Sequence, residues 1–201
     1  MLVACAGTAT AQEADNHFGI KAGASLTNLV GKDVTSSTNS LIGYHGGLVA
    51  NIALSERFSI QPELLYSVKG VKTEQSFAGT TFKATQNLHY VDLPVMLKAK
   101  FNQVFVEAGP QAGVLVRAKS KVEGGSTTEE VSNKDEFSKL DFGYALGVGY
   151  QLESGPMVGF RYNGGITNVA QAEIVGGQRL QAKARNSAFQ LYVGYMFGGS
   201  K

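Results

Sequence analysis

Three carboxylates fall on the polar side of successive segments in which apolar and polar residues alternate. They are Glu63, Asp92 and Glu107, and the basic residues Lys98 and Arg161 share that side of the pattern. Paired carboxylates can act as a general acid and a general base. The competing interpretation is an enclosed ionic network in which opposite charges neutralise each other. We favour this second interpretation and predict a structural charge network. Its predicted members are Lys21, Glu63, Lys69, Asp92, Lys98, Glu107 and Arg161.

Histidines are the other candidates for acid–base chemistry. His45 shares the polar side of the alternation, His17 precedes the alternating region, and His89 falls on the apolar side. A buried His45 beside a carboxylate could act as a base, but such a histidine more often belongs to a polar network. No serine lies in a G-x-S-x-G motif, and no cluster has metal-ligand spacing. We therefore expect no enzyme, no cofactor and no metal, and keep a hydrolase with a site at the rim as an alternative.

Alternation with a period of two begins at Phe18 and continues almost to the end of the chain. This period is that of half-buried β-strands, and no segment of useful length has a helical period. The pattern predicts eight strands, at Phe18–Leu29, Leu41–Leu54, Phe58–Thr73, Thr81–Phe101, Val104–Lys119, Leu140–Leu152, Met157–Val169 and Ser187–Phe197.

Short and long connections alternate between these strands. The short ones are Ser55–Arg57, Asn102–Gln103 and Glu153–Gly155; the longer ones are residues 31–40, 76–80, 120–139 and 170–186. Up-and-down barrels of the outer membrane have short periplasmic turns and longer outside loops. The pattern therefore predicts that both ends of the chain lie on the periplasmic side.

The residues on the polar side indicate which face of each strand lies inside. Glycine accounts for 25 of the 201 residues, well above the usual share of about 7%, and Gly143, Gly147 and Gly149 lie on that side. A water-exposed face would instead be dominated by Lys, Glu, Thr and Asp. Small residues suit a narrow interior that also holds large polar side chains, so we expect the apolar side to contact lipid. Aromatic residues expected near the strand ends are Phe58, Phe101, Phe160, Tyr195 and Phe197.

The predicted fold class is thus all-β, an eight-stranded antiparallel up-and-down transmembrane β-barrel. A net charge of +2 lacks the basic excess typical of a nucleic-acid binder. No apolar run reaches the roughly 18–20 residues of a membrane-spanning helix. Pro62, Pro94 and Pro110 fall within strands and cannot donate a ladder hydrogen bond, so we expect bulges there or positions near the membrane rim.

The first residues have features of a secretory signal. Ala9-Thr10-Ala11 matches an A-x-A cleavage pattern, while Leu2-Val3-Ala4-Cys5 offers the alternative of a lipobox that would lipidate Cys5. We divide the chain into residues 1–17 (signal-peptide remnant and periplasmic N-terminal segment), 18–197 (barrel) and 198–201 (C-terminal tail).

Several segments together resemble a known family. They are Phe18-Gly19-Ile20-Lys21-Ala22-Gly23, Gln61-Pro62-Glu63-Leu64-Leu65-Tyr66-Ser67-Val68-Lys69-Gly70, Tyr90-Val91-Asp92-Leu93-Pro94-Val95-Met96-Leu97-Lys98, Gly109-Pro110, Gly159-Phe160-Arg161-Tyr162 and Ile166-Thr167-Asn168, followed by an aromatic last strand. In this order they are similar to the outer-membrane β-barrel family of Bacteroidetes, also called PorT-like or porin-family proteins. The resemblance implies location in the outer membrane and, through the aromatic last strand, recognition by the barrel-assembly machinery. It implies no particular substrate.

The size of the barrel limits the functions that we expect. An eight-stranded barrel is just wide enough for side chains to fill, which argues against a wide pore. We expect a monomeric structural or binding protein surrounded by outer-membrane lipid, with an extracellular ligand held by residues 31–40, 120–139 and 170–186. A narrow channel for small solutes or ions is the alternative, and we expect no nucleic-acid partner.

Overall fold

The computed structural model describes residues 16–34, 38–77, 80–124, 127–132, 137–170, 173–175, 178–180 and 183–198. The predicted cleavage pattern at Ala9–Ala11, Cys5 and residues 199–201 of the tail lie outside the described residues. Within the described ranges no helix is long and apolar enough to cross a membrane.

The described residues form eleven strands. These are β1 (His17–Val30), β2 (Thr38–Ala53), β3 (Phe58–Phe77), β4 (Thr80–Phe101), β5 (Val104–Gly124), β6 (Thr127–Ser132), β7 (Leu140–Gln151), β8 (Pro156–Gly165), β9 (Glu173–Val175), β10 (Gln178–Leu180) and β11 (Arg185–Phe197). His17, which the pattern placed before the barrel, is the first residue of β1.

Eight of these strands close into a ring. The order is β1-β2-β3-β4-β5-β7-β8-β11, and β11 pairs with β1 again. Every pair of neighbours is antiparallel. Closure removes the edge strands that would expose unpaired backbone groups in lipid. The predicted eight-stranded antiparallel barrel is therefore confirmed.

One end of the barrel, the turn end, carries the short connections. They are residues 54–57, 102–103 and 152–155, between β2 and β3, β4 and β5, and β7 and β8. Asn102 (φ 58°) and Gly155 (φ 112°) have positive φ, a conformation in which asparagine and glycine are the least strained residues. β1 begins and β11 ends at this same end, and outer-membrane barrels place such turns in the periplasm.

The opposite end, the hairpin end, contains more strand than the sequence pattern predicted. β3, β4 and β5 have 20, 22 and 21 residues, whereas β7 and β8 have 12 and 10. Residues 76–80 and 120–139, both predicted as loops, lie partly in β3, β4, β5 and the added strand β6. Only residues 78–79 separate β3 from β4, so this outer connection is as short as a turn. The pattern missed these parts because beyond the membrane both faces of a strand carry polar residues and the alternation disappears.

The three prolines lie within strands without a bulge. In the pairing of β3 with β4 the register is the same before and after Pro62, and in the pairing of β4 with β5 it is the same before and after Pro94. The pairing of β5 with β7 likewise keeps one register through Pro110. The expectation of bulges at these positions was wrong. Each proline instead leaves a gap in the pairing with one neighbour, Pro62 toward β2, Pro94 toward β3 and Pro110 toward β4, because proline cannot donate to the ladder. The register shifts lie between Ser40 and His45 and between His89 and Tyr90.

The two faces of the ring are oriented as the pattern predicted. Leu191, in the middle of β11, is 60% exposed on the outside, and Leu146 and Val148 are also exposed. Arg161 and Glu63 are fully buried in the interior. Phe160, which was expected near a strand end, instead lies in the middle of β8. Its ring stacks on that of Phe189 at a centroid distance of 5.8 Å.

Glycines on the inner face make room for large interior side chains. A Cβ atom added to Gly159 would lie 2.4 Å from the Tyr192 ring, and one added to Gly149 would lie 2.3 Å from the Phe105 ring. A Cβ atom on Gly147 would lie 2.7 Å from a carboxylate oxygen of Glu107. The high glycine content therefore results from filling a narrow lumen with long side chains.

Gly159→Ala is expected to lower the free energy of unfolding by about 1–3 kcal/mol, the usual cost of overpacking a filled interior. Urea unfolding in nonionic detergent measures the change. Gly46→Ala is the matched control, since its Cβ would have no contact closer than 3.3 Å. In a Tyr192→Leu background the Gly159 substitution should cost much less. An equal cost in both backgrounds would disprove the steric explanation.

Candidate functional site in the barrel interior

The centre of the lumen holds a buried guanidinium between two carboxylates. Arg161 on β8 donates from Nη1 and Nη2 to the two carboxylate oxygens of Glu63 on β3, both at 2.8 Å. Its Nε donates to Glu107 Oε1 on β5, also at 2.8 Å. The planar guanidinium matches a carboxylate in this two-bond geometry, which makes the pair strong and directional. Arg161 thereby connects three strands across the barrel.

Lys21 and Tyr192 complete this central cluster. Lys21 Nζ lies 3.3 Å from each carboxylate oxygen of Glu63 and 3.7 Å from the centroid of the Tyr192 ring. The Tyr192 hydroxyl donates to Glu107 Oε1 at 2.9 Å, and Gln61 Nε2 donates to Glu63 Oε1 at 2.7 Å. Two cations therefore balance two carboxylates, which allows all four charges to be buried.

A second cluster lies nearer the hairpin end. Lys69 Nζ is 3.1 Å from Asp92 and 3.4 Å from Asp141. Asn186 Nδ2 donates to Asp141 at 2.9 Å, and the Lys69 ammonium lies 4.7 Å from the centroid of the Tyr90 ring. Asp141 was not among the predicted members, although it lies on the polar side of the clearest predicted strand. Its position in the alternation was a signal that could have included it.

The structure thus places the seven predicted residues in three different surroundings. Lys21, Glu63, Glu107 and Arg161 meet in the central cluster, and Lys69 and Asp92 meet in the second. Lys98 belongs to neither. Its ammonium donates to amide oxygens of Gln151 at 2.7 Å and Gln61 at 3.4 Å, and lies 3.8 Å from the centroid of the Phe105 ring.

The histidines do not assemble a catalytic group in the described residues. His45 Nδ1 and Ser25 Oγ share a hydrogen bond of 2.9 Å, but both side chains are buried. His89 faces outward and shares a hydrogen bond with the Tyr66 hydroxyl. His17 lies at the turn end. No group of His, Cys, Asp or Glu in the described part of the chain could hold a metal ion.

Apolar layers lie on either side of the ionic clusters. Toward the turn end, the buried residues Val49, Phe105, Met157, Tyr192 and Met196 pack together. Toward the hairpin end, the packed residues are Leu88, Tyr90, Leu115, Ala118 and Val169. A cavity beside Lys69 and Asp141 has a volume of about 10 Å³, close to the smallest space that holds one water molecule. Between the two apolar layers the lumen is therefore filled by its own side chains.

A closed ring of strands with an apolar outer surface and a charged, filled interior defines a transmembrane β-barrel. The model of a family described as outer membrane protein beta-barrel domain matches residues 10–171. The chain belongs to this family, and its location is the bacterial outer membrane. No curated protein matches the sequence.

Several solved structures have a similar arrangement of strands. The attachment invasion locus protein Ail of Yersinia pestis is 11% identical, with a TM-score of 0.49, and the match covers 90% of this chain and 99% of Ail. Neisserial surface protein A is 15% identical, with a TM-score of 0.47 and coverage of 90% and 97%. OprG from Pseudomonas aeruginosa is 10% identical, with a TM-score of 0.44 and coverage of 92% and 97%. Similarity at this level carries no conclusion about function.

Proposed function

We propose that this protein is a non-catalytic outer-membrane barrel that acts through its hairpin end, and that the ionic clusters of its lumen serve only to stabilise the barrel. The observation that carries the proposal is the central cluster around Arg161, which crosses the lumen between the two apolar layers. A conducting path would have to displace this bidentate ion pair. The six predicted residues that meet in the two clusters, Lys21, Glu63, Lys69, Asp92, Glu107 and Arg161, accordingly have structural roles.

The surroundings of the carboxylates argue against acid–base catalysis. Both oxygens of Glu63 accept hydrogen bonds from Arg161, and Asp92 is held by Lys69. A general acid or base must come within hydrogen-bond reach of a substrate, whereas these groups are enclosed by protein. This burial of the carboxylates supports the proposal that the protein is not an enzyme.

The hairpin end supports a binding role. β3, β4, β5 and β6 form a paired sheet that continues beyond the start of β7. Lys121 and Glu123 form an ion pair on this sheet. The hydrogen bond from the Lys121 ammonium and its positive charge hold the pKa of the Glu123 carboxyl below its ordinary value. The backbone N–H of Lys183 donates to Asp33 at 2.8 Å, which connects two of the predicted ligand-binding segments, residues 31–40 and 170–186. The described residues of these two segments and of residues 120–139 are the surface that we propose for an extracellular ligand.

The motifs of the chain support a more specific family assignment. The segments that resemble the PorT-like proteins of Bacteroidetes lie in β1, β3, β4, β5, β8 and β11, except for Ile166–Asn168, which follows β8. They include Glu63, Asp92 and Arg161 of the two clusters. We therefore place the chain in that group. Insertion by the barrel-assembly machinery and a monomeric state belong to the same proposal.

Planar-bilayer recording tests the filled lumen against a narrow channel. The purified protein, once inserted, is expected to produce no steady conductance steps. The variant Leu88→Ala/Leu115→Ala, which thins the hairpin-side layer alone, should also be silent because the Arg161 cluster still closes the centre. Reproducible steps of constant size from the wild-type protein would disprove the filled lumen and favour the channel.

A further inference from the structure

A cavity with a mixed charged lining opens at the turn end, away from both ionic clusters. Its volume is about 310 Å³, at the lower limit of small-molecule pockets. Its lining includes Lys98, Gln151, Asn51, Glu56, Arg57 and Glu153. The turn end faces the periplasm in barrels of this kind, so a periplasmic solute would reach this cavity without crossing the lumen.

Lys98 in the wall of this cavity is a buried cation of an unusual kind. It is only 2% exposed. Among the described residues, however, no carboxylate oxygen lies within 4.0 Å of its ammonium nitrogen, the limit for an ion pair. The other buried cations, Lys21, Lys69 and Arg161, each contact at least one carboxylate. A buried charge is costly unless an opposite charge or several hydrogen bonds compensate it, so Lys98 is the interior cation best suited to an anionic ligand.

The neighbours of Lys98 hold it in place and leave capacity for a ligand. Gln61 Nε2 is committed to Glu63, so the Gln61 carbonyl is directed to Lys98. Gln151 supplies the second acceptor, at 2.7 Å. An ammonium group has three N–H donors, and these two amides use two of them. The remaining donor has the Phe105 ring as its neighbour, 3.8 Å from Nζ to the ring centroid, and such a cation–π contact is weaker than a charge-assisted hydrogen bond to a ligand carboxylate.

Charges of both signs surround the mouth of the cavity. Glu56 and Arg57 lie in the turn of residues 54–57, Glu153 lies in the turn of residues 152–155, and all three are exposed. Lys100 also belongs to the lining, so cations and carboxylates lie side by side, and neither a simple anion nor a simple cation matches the whole pocket. A molecule with one carboxylate and one ammonium group would match both the wall and the rim.

We propose that this turn-end pocket binds a zwitterionic amino acid or short peptide, with the ligand carboxylate on Lys98 and the ligand ammonium near Glu56 and Glu153. This site is independent of the extracellular role proposed above. It assigns the barrel a second, periplasmic binding surface.

Isothermal titration calorimetry in a nonionic detergent tests the proposal with four probes: alanyl-alanine, its C-terminal amide, its N-acetyl derivative and inorganic phosphate. Alanyl-alanine is expected to bind, and the amide to bind about tenfold or more weakly, because it loses a charge-assisted hydrogen bond. The N-acetyl derivative should also bind more weakly. Lys98→Met should remove the preference for alanyl-alanine over its amide. Lys72→Met, an exposed change at the hairpin end, should bind like the wild type.

Three results would overturn the site: no binding of alanyl-alanine, equal binding of the dipeptide and its amide, or phosphate binding more tightly than the dipeptide. Equal losses in the Lys98 and Lys72 variants would show non-specific charge attraction and would also overturn it. If Lys98→Met does not fold, which gel mobility without boiling reveals, the comparison of the four probes on the wild-type protein still decides.

Discussion

Arg161→Ala is expected to lower the free energy of unfolding by about 3–5 kcal/mol, the range for removing one partner of a buried ion pair. The variant leaves Glu107 with no cation within 4.0 Å among the described residues, while Glu63 keeps only Lys21. The measurement is urea unfolding in nonionic detergent, accompanied by the gel mobility of heated and unheated samples.

Two further variants separate this effect from a general loss of positive charge. Arg57→Ala, in an exposed turn, should leave the unfolding transition within about 0.5 kcal/mol of the wild type. Adding Glu107→Gln to Arg161→Ala should restore part of the loss, because it removes the uncompensated buried charge. An unchanged transition for Arg161→Ala would show that the central cluster does not stabilise the barrel.

Leu191→Arg is expected to lower the stability of the barrel in a phospholipid bilayer by about 2–4 kcal/mol, the cost of a lipid-facing arginine near the bilayer midplane. Leu191 pairs with Ala24 on one side and Phe160 on the other, at the middle of β11. Reversible folding into phosphatidylcholine vesicles at increasing urea concentration measures the change.

Val131→Arg is the matched control for this substitution. Val131 on β6 is 58% exposed and Leu191 is 60% exposed, but β6 lies outside the closed ring, at the hairpin end. The two apolar side chains are therefore equally exposed, but Leu191 faces lipid and Val131 faces water. The Val131 variant should change stability by no more than about 0.5 kcal/mol. If both variants cost the same, the outer face of β11 does not contact hydrocarbon and the orientation of the barrel is wrong.

The parts of the fold that could be predicted are those where one periodic constraint acts on every residue. β7 is the clearest example: Leu140–Leu152 was predicted and Leu140–Gln151 is observed. Each outward residue of this strand must be apolar for lipid, and each inward residue must be small or polar for the lumen. The sequence alone therefore determined the ring strands, the turn-end connections and the face on which Lys21, Glu63 and Arg161 lie.

Only the tertiary structure decided which interior side chains meet. Arg161 and Glu63 are 98 residues apart in sequence, and their contact depends on the stagger of strands on opposite sides of the ring, which no local pattern encodes. The same stagger adds Asp141 to the second cluster and leaves Lys98, although it lies opposite Glu107 in the register, without an ion pair to any described carboxylate. β6, β9 and β10 escaped prediction because strands with no lipid-facing side are not required to alternate.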